Sequence, residues 1–498
     1  MELYDVLVIG AGVGGLACGA RLSRLGYKVA VFDHHYAAGG YATNFKRKEY
    51  TFDVALHGVG GLGAGQSFHR ILDACGAADR MIPLPKEHPY SIQTLQQRID
   101  IPKQATEYKQ LLIRMFPDEK SGIDSLFAAI YRLHEEMSFL QDPDVPGWKK
   151  GALFPLRCRL LMKWSGLTTE QVVRQYVKSD AFFNFFTALW GYYGLPPSRL
   201  SSLYFFIPWT GYHIEGTYYI KGGAQAFSDA LVSVIEEHGG KVMLRREVTE
   251  ILLDNKKAYG IRIKDGTEYR GKWVVSNASP AHTLGNLIRE HECGMRYRKK
   301  LLTKRIGPSL TQLYIGLSCH PEVLGIDAED LLFLEEQDHA KDYENCMHGL
   351  YDKANFGLTN YSKMDAALNA YERGVITATL IDDIRNWPEE KEAYRWKKKE
   401  VTDIFLDRLD GYYPGLREKV VITELGTPRT MMRYTKNPEG AVYGFAQTVA
   451  QSGIKRTSSR TPISCLSLVG AWTQPGGGFQ GAATSGFMEA ERIHRRLQ

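Results

Sequence analysis

No two cysteines of this sequence are paired as CxxC. The seven it has, Cys18, Cys75, Cys158, Cys293, Cys319, Cys346 and Cys465, are odd in number and scattered. That argues against a disulfide framework and against a zinc or iron–sulfur site, and it fits a reducing compartment. The fourteen histidines form no HExxH or comparable ligand pattern, so no metal is expected. No apolar run reaches about eighteen residues, which excludes a segment that spans a bilayer as a helix. No basic start and apolar stretch precede the strand-like residues 4–9, so no signal peptide is expected. There is no internal repeat and no low-complexity segment. There is also no dense Lys/Arg tract with interleaved aromatics, which sets nucleic acid aside as a partner. The net charge of +6 is a mild excess that suits an anionic membrane surface. Together these absences point to a cytoplasmic protein in peripheral contact with a membrane.

What is present is ordinary globular material. The 498 residues are 44% hydrophobic and 24% charged, enough for two or three cores. Residues 6–9 are a continuous apolar run, the pattern of a strand buried on both faces. Gly10-Ala11-Gly12-Val13-Gly14-Gly15 follows and opens a helical segment at residues 16–22. In such a strand–glycine–helix unit Gly10 permits the tight turn, Gly12 lets the backbone approach a pyrophosphate, and Gly15 lets helix and strand pack closely. The helix N-terminus then offers free N–H groups and a positive dipole end. Gly26 ends the helix and residues 28–32 read as a second strand. Asp33 stands at its end, about twenty residues on, where a carboxylate accepts from a ribose 2′-OH. An acid there argues against NADP.

Gly39-Gly40-Tyr41-Ala42-Thr43 comes next, then a strand-like segment at residues 50–53. This order of glycine fingerprint, acid, glycine pair and hydroxyl residue resembles the large flavoprotein group that holds amine oxidases and carotenoid desaturases. Gly58-Val59-Gly60-Gly61-Leu62-Gly63 also matches GxGxxG, with a helical segment at residues 67–75, but no second strand ending in an acid follows it. It reads as a flexible glycine loop near the flavin ring, or as a surface loop, and not as a second nucleotide site.

Residues 224–237 carry apolar positions at helical spacing. Strand-like segments follow at residues 242–244, 248–253, 259–263 and 273–275. By pattern alone this is an α/β unit. The resemblance makes it a returning cofactor segment, with Val248 meeting the adenine through its backbone and Ala278 in the turn after the last strand.

Near the chain's end, a strand at residues 466–469 leads into a glycine loop at residues 470–481 and a helix at residues 482–497. A second strand–glycine–helix element supplies a second set of N–H groups. One fingerprint suffices for NAD. Two, at opposite ends of the chain, suit a longer cofactor with a ribityl chain and ring to seat, namely FAD. The segment closely resembles the C-terminal FAD motif of carotenoid desaturases and isomerases. That resemblance implies cofactor contacts at Gly470, Ala471, Gly477, Gly478, Phe479, Gln480, Gly481 and Ala482.

Residues 52–60, 190–198 and 440–444 are similar to the retinol saturase and carotenoid isomerase branch. The resemblance covers nearly the whole chain and is looser over residues 75–180 and 320–420. It implies an α/β fold: a Rossmann-like FAD-binding domain of the glutathione-reductase/amine-oxidase type, with an inserted α+β substrate domain and a helical membrane-facing cap. The expected pieces are residues 1–70, 215–290 and 456–498 for the FAD domain, 71–214 for a mainly helical substrate and cap region, and 291–455 for a substrate domain with an antiparallel sheet. Tyr41 stands where phytoene desaturases and amine oxidases usually carry Arg, and Ala471 where amine oxidases usually carry an acid. Both departures weaken an amine oxidase reading, and the first weakens simple phytoene desaturation.

Residues 182–219 are crowded with aromatics: Phe182, Phe183, Phe185, Phe186, Trp190, Tyr192, Tyr193, Tyr204, Phe205, Phe206, Trp209, Tyr212, Tyr218 and Tyr219. They suit the walls of a site for a long polyene or acyl chain, or the packing of a core. Between Trp148 and Trp164, Lys149, Lys150, Arg157, Arg159 and Lys163 alternate with Leu153, Phe154, Leu156, Leu160, Leu161 and Met162. That suits an interfacial anchor, or a solvated helix with one buried face.

A flavin exchanges hydride with C–H and C=C bonds, and the resembling branch contains saturases, desaturases and isomerases. A saturase or isomerase adds a proton. His57 and Tyr443, placed in family-like segments, are candidate catalytic acids, with structural roles as the alternative. With one credible nucleotide fingerprint, electrons come from or go to an external donor or acceptor unless the reaction is redox-neutral. The leading expectation is an FAD-dependent oxidoreductase acting on carbon–carbon double bonds of a carotenoid, retinoid or similar apolar lipid. The alternatives are a fatty-acid double-bond isomerase or amine oxidase on the same fold and, from another class, a non-catalytic prenyl-lipid escort protein.

Overall fold

The strand Leu3–Ile9 lies inside the first of two large sheets, with Val6, Leu7 and Val8 fully buried, as an apolar run covered on both faces requires. The computed structural model describes residues 3–142, 145–288, 292–370 and 372–498. Leu3–Ile9 pairs in parallel with Val29–Phe32 on one side and with Glu268–Ser276 on the other. Lys241–Met243 continues the sheet beyond Val29–Phe32, also in parallel. Glu268–Ser276 is shared along its length. Its first part pairs antiparallel with Lys257–Ile263, which turns back into Val248–Asp254. Its last three residues pair in parallel with Leu466–Leu468. The start, middle and end of the chain therefore meet in one sheet.

The helix Val13–Arg24 lies between two others, Gly223–Glu237 and the C-terminal helix Phe479–Leu497. Glycine sets the closeness of the second contact. A Cβ on Gly486 would lie 2.1 Å from the carbonyl oxygen of Gly14, and one on Gly14 would lie 2.6 Å from the Cα of Gly470. Asp53 caps the helix Gly223–Glu237 from a distance. One carboxylate oxygen accepts from the Ala224 N–H at 2.6 Å and the Tyr219 hydroxyl at 3.0 Å. The other accepts from the Ala55 and Leu56 N–H groups and so holds the turn that presents His57.

The second sheet runs in the order Val420–Gly426, Ser309–Leu317, Gly374–Asp382, Phe356–Asn360, Asp330–Phe333, Ser91–Gln93 and Arg98–Asp100. Its last two strands come from the region expected to be mainly helical; this hairpin leaves the helices and extends the sheet from the side of Asp330–Phe333. The glycine segment expected to be a flexible loop is also different. Val59–Gly60 pairs with the strand Thr217–Ile220, and a Cβ on Gly60 would lie 2.6 Å from the Gly211 carbonyl carbon. This backbone is wedged and hydrogen-bonded, which a free loop is not.

Helices that share one core with the second sheet form a third layer. Lys120–Gln141 buries Ile123, Leu126, Phe127, Ile130 and Leu133 at helical spacing. Its buried Glu136 accepts from the Leu160 and Leu161 N–H groups and caps the helix Arg159–Trp164. Beside it, His213 sits in a π-helical turn, Gly211–Glu215, with ring centroids 4.3 Å from Trp209 and 5.0 Å from Tyr108. Neither ring nitrogen finds a partner among the described residues.

Burial pushes the His213 imidazole down to about 3 from an ordinary 6.5. The unfolded chain takes up this proton as pH falls through 6.5 and the folded protein does not until about 3, so stability is lost across that window. Replacing His213 with Phe is expected to raise stability by about 1–3 kcal/mol, because it removes unpaired buried polar atoms. It is also expected to flatten the acid limb. Urea unfolding at stepped pH measures both effects, and an unchanged slope would refute the assignment.

Candidate active site

A cavity of about 1630 Å³ is lined by residues of both sheets and of the helical layer. Small-molecule sites are typically about 300–1,000 Å³, so this one has room for more than one ligand. At one end stands Asp33. Its carboxylate accepts from the Ala11 N–H at 2.7 Å and the His35 N–H at 2.8 Å, and lies 3.2 Å from His34 Nδ1. Burial works to raise this carboxyl, but His34 and the two N–H groups outweigh it and hold the group below the usual range. Val248 and Ala278 line the same end.

Next along the wall are two helix N-termini. The helix Val13–Arg24 starts at Gly12 and the helix Phe479–Leu497 at Gly478. Neither N-cap has a side chain to satisfy the free N–H groups, and neither first turn carries an acid. Gly12, Val13 and Gly14 face the cavity from one helix, and Gly478, Phe479, Gln480, Gly481 and Ala482 from the other. Two uncapped N-termini aimed at one space make a site for a doubly charged diphosphate. Gly10, Gly39, Gly40, Tyr41, Ala42, Thr43, Ala471 and Gly477 line it as well. Ala11, Gly15 and Gly470 do not. A Cβ on Gly15 would lie 2.1 Å from the Gly10 carbonyl oxygen, so this glycine serves the packing of turn on helix.

Beyond the glycine turns the wall becomes aromatic. Trp190, Tyr192, Tyr193, Tyr204 and Tyr212 line the cavity, while Phe182, Phe183, Phe186, Phe205, Phe206 and Trp209 are buried in the core behind. His57 packs against Tyr192 with centroids 4.1 Å apart and the rings tilted by 36°. Burial, with Lys86 adding to it, holds the His57 imidazole down at about 3. Tyr443 lines the same cavity, and burial drives its phenol far above the ordinary range. Tyr41 lines the cavity while its hydroxyl, within 3.3 Å of the carbonyls of both Gly440 and Ala441, braces the segment that carries Tyr443.

The family model for flavin containing amine oxidoreductases matches residues 13–494. The chain belongs to this family. Prolycopene isomerase 1 (chloroplastic) of an Oncidium hybrid cultivar is 26% identical over 505 residues, covering 99% of this chain and 84% of that protein. All-trans-retinol 13,14-reductase of Danio rerio is 26% identical over 509 residues, covering 94% and 82%. Among solved structures, an oxidoreductase from Methanosarcina mazei matches with a TM-score of 0.68 at 21% identity, covering 98% of this chain and 100% of that one; that likeness shows the fold alone.

The family's cofactor is a flavin, and the cavity fits FAD. Asp33 would hold the adenosine ribose, the two helix N-termini the diphosphate, and the wall from His57 to Gly60 together with Tyr443 and Ala471 would face the ring. Three features of this cradle escape sequence reading. The Asn277 amide is enclosed by three glycines: a Cβ on Gly12, Gly14 or Gly470 would lie 2.7, 2.7 or 2.2 Å from it. It thus ties the first glycine turn to the last. Lys86 is buried behind His57, donating to the carbonyls of His57 (3.1 Å) and Pro89 (3.2 Å) and pairing with Asp330. Arg456 is buried behind Tyr443 and Ala471. None of the three stands in a motif, and only Asn277 had a local signal, at the end of a strand.

Asp33→Asn is expected to weaken FAD binding about tenfold or more, the worth of a hydrogen bond to a charged group, with little change in the circular dichroism of the apoprotein. Fluorescence titration of apoprotein with FAD measures the shift; an unchanged Kd would remove Asp33 from the cofactor site.

Proposed function

We propose that this protein is an FAD-dependent enzyme that alters carbon–carbon double bonds of a long apolar polyene drawn from a membrane. The observation that carries the reading is the continuity of the cavity. One space joins a dinucleotide cradle to an aromatic tunnel, and the tunnel reaches Met137, Phe154, Leu161 and Met162 on the outer helices. The relatives named for prolycopene isomerisation and all-trans-retinol reduction support a polyene as substrate.

FAD, when bound, supplies hydride exchange with a carbon–carbon bond. The chain's own residues do the rest. Trp190, Tyr192, Tyr204 and Tyr212 hold the polyene flat and keep water from it. Tyr443 keeps its proton at every physiological pH and serves as proton donor. His57, held neutral, offers a hydrogen-bonding imidazole at the same wall; at about 3 neither a base nor a cationic donor role suits it. Electrons reach the site from an external donor unless the reaction is redox-neutral.

The outer helices support membrane contact. Gly147–Arg157 has no buried residue, and Trp148 is 77% exposed beside Lys149 and Lys150. Trp164, at the other end of this segment, is fully buried against Phe206, so the anchor is the first helix and not both. No helix among the described residues is long and apolar enough to cross a membrane.

The chemically reduced protein, incubated without oxygen with an all-trans carotenoid in liposomes, is expected to yield a product two hydrogens heavier or an isomer of unchanged mass and altered retention. Recovery of unaltered polyene from both the reduced and the oxidised protein would overturn the reading. For the membrane contact, a Trp148→Ala, Leu156→Ala variant is expected to bind phosphatidylglycerol-containing vesicles several-fold more weakly in flotation, with cavity and flavin unchanged. Equal flotation of both proteins would place the contact elsewhere.

A further inference from the structure

The buried Arg456 forms no ion pair among the described residues. Its residue is 3% exposed. The guanidinium donates to the carbonyls of Thr473 at 2.9 Å, Tyr443 at 3.0 Å and Phe445 at 3.1 Å, and to that of Ala471. Among the described residues no carboxylate lies within ion-pair distance of it. Its electrostatic neighbours are a phenol, Tyr204, and another cation, Lys304, which burial and then Arg456 and Lys300 push down. Carbonyl dipoles solvate a guanidinium but do not cancel its charge. A buried cation without a counter-charge is costly, and a chain that needed only to join two loops could do so with a neutral amide.

Arg456's place in the fold says where the missing negative charge belongs. Two of its four acceptors, Tyr443 and Ala471, line the cavity, so the guanidinium stands one layer of backbone behind the wall. That layer is thin because Gly444 packs on Ala471: a Cβ there would lie 2.9 Å from the Ala471 carbonyl oxygen. This wall adjoins the last glycine turn: a Cβ on Gly477 would lie 2.9 Å from the Tyr443 Cα. A dinucleotide with its diphosphate between the helix N-termini would therefore have this wall beside it.

We infer that Arg456 supplies the fixed positive charge that favours the reduced, anionic form of the bound flavin over the oxidised form. Oxidised flavin that takes up one hydride, two electrons and one proton, gains one negative charge on its ring system. In a dry site the attraction between that charge and Arg456 is stronger than in water. The oxidised ring carries no such charge and gains little. The difference shifts the reduction potential upward, and charge near the ring is one of the means by which a protein tunes this cofactor. Burial holds Arg456 down only to about 10, so it remains charged at physiological pH. The inference rests on the flavin cofactor and not on the identity of the lipid, so it stands or falls apart from the proposed reaction.

The test is potentiometric titration of the FAD-loaded protein against a reference dye, with dithionite as reductant and no lipid present. Arg456→Met removes the charge and the hydrogen bonds; Arg456→Lys keeps the charge and gives up most of the hydrogen bonds. The charge role predicts that Arg456→Met favours reduced flavin at least tenfold less than the wild type, a fall of about 30 mV for a two-electron couple, while Arg456→Lys stays within threefold of wild type. Equal loss in both variants would make Arg456 a loop brace. An unchanged potential in Arg456→Met would dismiss any electrostatic role. Should Arg456→Met fail to retain FAD, Arg456→Lys decides alone: a potential near that of wild type supports the inference and a fall of tenfold or more overturns it.

Discussion

Two backbones touch where the carbonyl of Gly14 meets Gly486, and the rest of the molecule depends on that contact. It places the N-terminal helix directly against the C-terminal one, with no side chain between. Gly470 and the Asn277 amide complete the junction, which therefore draws on three remote parts of the chain. Because the helices lie so close, their uncapped N-termini open on one space. Neither end by itself would hold a diphosphate and a ring. Together they make a cradle whose positive partial charges come from backbone, and so do not titrate.

The far wall of the cavity follows a different logic. Four of its ionisable groups are kept in neutral form by burial: His57 as imidazole, and Tyr443, Tyr192 and Tyr212 as phenols. Two buried cations lie one layer back. Lys86 and Asp330 neutralise each other, whereas Arg456 meets only carbonyls. An apolar chain can therefore lie along the wall without stranding a bare charge.

How much of this was legible depends on the range of the interactions. Apolar runs such as residues 6–9 and 28–32 carry their own strand signal, and the glycine turns carry theirs, because both are set by neighbours in sequence. The wedged segment at Val59–Gly60 misled for the same reason: glycines announce conformational freedom, and only the distant strand Thr217–Ile220 shows that the freedom is spent on close packing. Phe186 and Tyr192 are equally aromatic in sequence, yet one is core and the other faces the cavity. Trp148 and Trp164 look alike as flanks of a basic segment and have opposite surroundings. Hydrophobicity says that a side chain seeks cover, not which cover it finds.

The sequence by itself determined the cofactor class and the alternation of strand, glycine turn and helix at both ends. Each of these rests on residue types at short spacing, where local sterics and backbone hydrogen bonding decide. The tertiary structure alone decided that the two glycine turns share one junction through Asn277, which aromatics form the tunnel, and that a buried cation behind Tyr443 meets carbonyls and, among the described residues, no carboxylate. Those features join residues hundreds of positions apart, and such pairings are set by the packing of whole sheets and helices, which no local pattern encodes.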